Sequence, residues 1–111
     1  RRRLELDDRR LPTGHTRREA PEAEPLGRRT FDDGYRLDRA AARTLALSGA
    51  GRTLTLRLDR GYPYTQVYAP AGQPFVALEP MTAPTNALMT GEHRSVAPGQ
   101  TFRATFSVGF T

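Results

Sequence analysis

Proton transfer at neutral pH calls for a carboxyl, an imidazole or a perturbed amine, and this chain places few of these where they could act. The segment FVALEPMTAPTNAL, Phe75 to Leu88, holds the only acidic residue between Asp59 and Glu92, namely Glu79. A strand-like run from Phe75 to Leu78 leads into it, and Pro80 follows at once. The residue before a proline is held extended, and proline is a poor member of a central ladder. Glu79 is therefore expected where a strand stops and a loop begins, a usual mounting point for catalytic groups. A solvated strand-end glutamate or a salt-bridge partner would carry the same local signature.

Two further groups could hold a hydroxylated ligand. TFDDGYRL places Asp32 and Asp33 between Phe31 and Tyr35. It reads either as an Asp-Gly turn or as a carboxylate that accepts hydrogen bonds from hydroxyls. Gln66, between Tyr64 and Tyr68 on a candidate strand, offers two donors and one acceptor. It reads as a sugar contact beside aromatic rings, or as an ordinary edge-strand glutamine. His15 and His93 each lie in a polar turn near arginine, without carboxylates at metal-ligand spacing. Ser48, Ser95 and Ser107 lack a nucleophile-elbow context, and no glycine pattern resembles a phosphate loop. No metal and no cofactor is expected.

The elements that must position these groups are strands. Leu4 to Leu6 is a short candidate, and Leu11-Pro12-Thr13-Gly14 reads as a turn. Residues 17–25, charged and containing Pro21 and Pro25, read as an exposed loop. Leu45–Leu47 and Thr53–Leu58 flank Ser48-Gly49-Ala50-Gly51 as a hairpin, with Leu54, Leu56 and Leu58 on one face. Tyr64–Tyr68 and Phe75–Glu79 follow, separated by a turn at Pro70–Gly72. After a turn at Ala97–Gln100, Phe102, Ala104, Phe106, Val108 and Phe110 alternate with polar residues, the pattern of a half-buried strand. Asp38–Arg43 contains Ala40-Ala41-Ala42, at most a helical turn. The sum is an all-β, antiparallel sandwich, or part of one.

Composition narrows the partners. The chain has 111 residues, room for a single small domain, with net charge +5 and no cysteine. All 17 basic residues are arginine. They come in pairs interspersed with acidic residues and lack interleaved aromatic platforms, which argues against nucleic acid as partner. No apolar run approaches the roughly 18 residues of a membrane span, so no membrane partner is expected, and a cytoplasmic location suits the absence of cysteine. The opening Arg1-Arg2-Arg3-Leu4 enters a strand almost at once, which reads as a chain beginning inside a fold, with residues 1–111 forming one incomplete sandwich.

TFDDGYRL, RGYPYTQVYAP and FVALEPMTAPTNALMTGEHRSVAPGQTFRATFSV, in that order, resemble the C-terminal part of bacterial aldose 1-epimerases, the galactose mutarotase family. The opening LELDDRRLPTG resembles the segment before that family's later strands. The resemblance spans essentially the whole chain and is most specific at LEPMTAPTNAL followed by PGQ. It implies the C-terminal portion of a mutarotase-like supersandwich, a free monosaccharide as substrate, and interconversion of its α and β anomers by acid–base ring opening. It implies Glu79 as general base, Asp32 rather than Asp33 as a ligand to sugar hydroxyls, and Gln66 lining the same pocket. Neither His15 nor His93 matches the family's general-acid histidine, which the resemblance puts upstream of Arg1. The isolated chain is accordingly expected to turn over little or not at all.

Overall fold

The computed structural model describes residues 1–20, 23–38 and 43–111. The expected helical turn over Asp38–Arg43, and Pro21 of the expected loop, fall outside the described residues in whole or in part. Among the described residues eight strands form two antiparallel sheets: β1 (Arg2–Leu6), β2 (Pro12–Arg18), β3 (Phe31–Arg36), β4 (Thr44–Gly49), β5 (Arg52–Arg60), β6 (Tyr64–Ala69), β7 (Ala77–Met81) and β8 (Thr105–Phe110). One sheet has the order β2-β1-β3-β6-β7 and the other β4-β5-β8. The only helix among the described residues is a single turn, α1 (Ala87–Thr90). The all-β antiparallel architecture expected from the pattern is the one present.

The hairpin β4–β5 follows the reading closely. It turns at Ala50-Gly51, both at positive φ, and Leu45, Leu47, Leu54, Leu56 and Leu58 share one face through the pairs Leu45↔Leu56 and Leu47↔Leu54. Leu56 and Leu58 are buried at 4% and 1% exposure. Phe31, Tyr35, Val67 and Leu78 of the larger sheet face Leu45 and Leu47 across a cavity of about 220 Å³. The interior of the sandwich thus uses one face of each sheet, leaving the other face of the five-stranded sheet to solvent.

Five expectations are corrected. Leu11-Pro12-Thr13-Gly14 is not a turn: β2 begins at Pro12, and the hairpin reverses at Asp7–Arg10. There Asp7 Oδ1 accepts from the amides of Arg9 and Leu11 at 2.8 and 2.9 Å, so an Asx-type bond outcompetes the proline signal. β2 also runs on to Arg18, into the stretch read as loop. Asp33-Gly34 lies mid-strand in β3 rather than in a turn. β7 does not stop at Glu79 but passes through Pro80 to Met81. It is an edge strand, where a missing backbone donor is tolerated.

The fifth correction concerns β8. It begins at Thr105, not Thr101, and every residue in it is exposed. Phe106, Val108 and Phe110 stand at 47%, 60% and 64% exposure. Pairing with Leu58, Leu56 and Leu54 puts them on the interior face as the alternation predicts, but β8 lies at the sheet edge beyond the cover of the opposing sheet. Ser107 donates to Asp59 across the β5–β8 pair, and this hydroxyl, with Arg57, holds the Asp59 carboxyl below its ordinary range.

Tyr35 is the largest fully buried side chain. Burial pushes its phenol above the ordinary value of 10.0, opposed by the Arg1 guanidinium that lies 4.3 Å from the ring centre. A raised folded-state pKa means that the native state keeps the proton longer. The stabilisation is therefore complete below about pH 10 and is lost as pH rises through the folded value. Urea unfolding on either side of about pH 10 should show an alkaline loss of stability, and Tyr35→Phe should flatten it.

Candidate functional site

The outer face of the five-stranded sheet is set by register. Gly34 pairs with Gln66, and Gln66 pairs with Glu79, on the adjacent strands β3, β6 and β7. Directly opposed residues of antiparallel strands project to the same side, so the Gln66 and Glu79 side chains stand next to one another. Asp32, two residues before Gly34, shares that face and pairs with Tyr68. The three residues singled out in the sequence, with Asp32 and Gln66 34 positions apart, are thus brought onto one surface.

Period two separates the adjacent aspartates. Asp33 turns to the other face, where its Oδ1 accepts from Arg3 at 2.6 Å. Asp32 remains outside: Oδ1 accepts from Gln66 Nε2 at 2.8 Å and Oδ2 from Arg10 at 3.2 Å. Gln66 is not an edge residue, since β6 is flanked by β3 and β7. Nor does it face the sandwich interior; the inward positions of β6 are Thr65, Val67 and Ala69. Thr65, 2% exposed, donates its hydroxyl to the Glu79 carbonyl at 2.8 Å. That bond ties down the backbone from which the Glu79 side chain projects.

Glu79 itself is exposed, and no ion pair holds its carboxylate among the described residues. It stands open to solvent on the edge strand and is not enclosed by apolar side chains. Phe75 instead packs on Tyr68 with ring centres 6.1 Å apart, making an exposed aromatic ledge beside Asp32. A small cavity of about 130 Å³ opens on this face, lined by Asp32, Gly34 and Gln66 with Leu4, Arg10 and Thr85. A planar carboxylate–amide pair next to an aromatic ledge is suited to vicinal hydroxyls on one side and the C–H face of a ring on the other. His15 and His93 do not line the cavity; His93 Nδ1 lies 3.2 Å from the Ala87 carbonyl. Among the described residues no three of His, Asp and Glu converge as a metal-ligand set.

Sequence reasoning missed three members of this surface. Arg10 reaches it only because the Asp7 turn holds it at positive φ, which no local motif announces. Thr85 comes from the proline-containing loop after β7, whose sequence did mark it as special. Gly34 looked like a turn residue but serves close approach: a Cβ there would sit 3.0 Å from both Gln66 Oε1 and Leu4 Cδ1. No family model, curated protein or solved structure matches the chain.

Gly34→Ala should therefore push Gln66 away from Asp32 while leaving the fold intact. Side-chain amide resonances of Gln66 should shift, with a stability loss of about 1 kcal/mol. Unchanged Gln66 resonances would show that the glycine is not what permits the Asp32–Gln66 contact.

Proposed function

We propose that this chain carries the sugar-binding and general-base half of an aldose 1-epimerase site, acting on the anomers of a hexose. The observation that supports it is the convergence of Asp32, Gln66 and Glu79 on one exposed face, with Gln66 bonded to Asp32 and directly opposed to Glu79. Asp32 and Gln66 hold ring hydroxyls, and the Tyr68–Phe75 ledge supports the ring. Glu79 takes the proton from the C1 hydroxyl as the C1–O bond to the ring oxygen breaks. The open aldehyde rotates about C1–C2, and the ring closes with proton flow reversed. The ring oxygen must gain a proton in the same step. No histidine lines this surface, so in this reading the acid comes from outside these 111 residues. General acid and base each contribute about 10²–10⁴ in rate, and their combined action is not additive, so the chain alone turns over slowly.

A second reading, a carbohydrate-binding sandwich without catalysis, is favoured by the exposure of Glu79 and by the lack of a histidine among the residues lining this surface. Titration with an aldohexose, followed by NMR, separates these. Both readings expect shifts at the Gln66 side chain and about tenfold weaker binding in Asp32→Asn. Glu79→Gln should leave affinity nearly unchanged; in the epimerase reading it also abolishes whatever anomerisation the chain accelerates. Equal rates with and without Glu79 favour the binding module, and a hexose that shifts nothing on this face removes both.

A further inference from the structure

Two rows of arginines run across the same strands on opposite faces of the larger sheet. On one face Arg17 pairs with Arg3, and both are neutralised: Glu19 lies 3.6 Å from each, and Asp33 lies 2.6 Å from Arg3. On the other face Arg18 pairs with Arg2, and Arg2 pairs with Arg36. Here the only carboxylate within ion-pair distance of the row, among the described residues, is Asp38, 3.9 Å from Arg2; Asp32, on the same face, is held by Arg10 and Gln66. Arg18 and Arg36, both exposed, have no such carboxylate among the described residues. Adjacent strands are about 4.8 Å apart, and like charges directly opposite each other destabilise a sheet. The inner row, on β1 and β2, is compensated within the chain; the outer row, which extends one strand further to β3, has one carboxylate for three guanidinium groups.

The outer row lies on the same face as the candidate sugar surface. Arg36 is two residues along β3 from Gly34, a rise of about 7 Å, and its cross-strand neighbour on β6 is Tyr64. An anionic substituent on a ring held at Asp32 and Gln66 could thus reach Arg36 and Arg2 without leaving the sheet surface. Guanidinium groups bind phosphate oxygens in paired, directional hydrogen bonds, and two or three in a row suit a dianion better than a single carboxylate.

We propose that the Arg18–Arg2–Arg36 row binds the phosphate group of a phosphorylated sugar; for the sugar, though not for the anion, this rests on the reading given above. The test titrates the chain with inorganic phosphate, an aldohexose and the corresponding hexose 6-phosphate at low salt. Two double variants of equal net charge are compared with it: Arg18→Gln with Arg36→Gln, and, as control, Arg28→Gln with Arg60→Gln. Circular dichroism verifies folding, and the single variants Arg18→Gln and Arg36→Gln replace the double if it does not fold.

The expected result is that the hexose phosphate binds at least about tenfold more tightly than the hexose. That preference should vanish in the row variant and survive in the control. Equal affinities for hexose and hexose phosphate would overturn the inference and leave the sugar reading standing. Equal loss in both double variants would also overturn it, showing attraction to net charge rather than to a site. Row-dependent binding of inorganic phosphate with no binding of either sugar would keep the anion site and remove the sugar reading.

Discussion

The structure turns on the pairing of β3 between β1 and β6. Two adjacent carboxylates, Asp32 and Asp33, occupy the middle of a strand, and the chain can afford that only because the pleat sends them to opposite sides. Arg3 takes Asp33 on one side; Gln66 and Arg10 take Asp32 on the other. A slip of one residue would exchange the two carboxylates, bring the Gly34 position to the interior and turn the Tyr35 ring out to solvent. Burial of Tyr35 therefore fixes not only the core but also which carboxylate is presented outside.

The same constraint explains why the candidate site is built on strands and not on loops. Gly34, Gln66 and Glu79 form one cross-strand row, so their spacing is set by the ladder, and Thr65 locks β7 through the Glu79 carbonyl. Only Arg10 and Thr85 reach the surface from connections. Strand-mounted groups hold their separation, which a hydroxyl-binding pair requires. Glu79, at the outermost strand, has the greatest freedom of the three.

Much of this was legible in the sequence. The leucine alternation of β5 gave its buried face, and Glu79 and Gln66 stood out by their neighbours, whereas Asp32 was preferred to Asp33 only through the family resemblance. β3 was not, because Asp, Asp and Gly are poor strand formers and Asp-Gly is a turn dipeptide. Only partners 30 and 34 residues away, Arg3 and Gln66, make that conformation favourable. Pro12 and Pro80 misled in the same way: proline excludes a central strand, yet β2 and β7 are both edges. For β8 the face was legible but not its exposure, since alternation reports which residues share a side and not whether anything covers it.

The central claim is that the outer face of the five-stranded sheet, at Asp32, Gln66 and Glu79, is where a sugar ring binds. A crystal structure of the chain with an aldohexose tests it most directly. The account predicts electron density for the ring over Gly34, with hydroxyls within hydrogen-bond distance of Asp32 and Gln66 and C1 towards Glu79. A hexose lodged instead between the two sheets, against Tyr35 and Leu45, would contradict it.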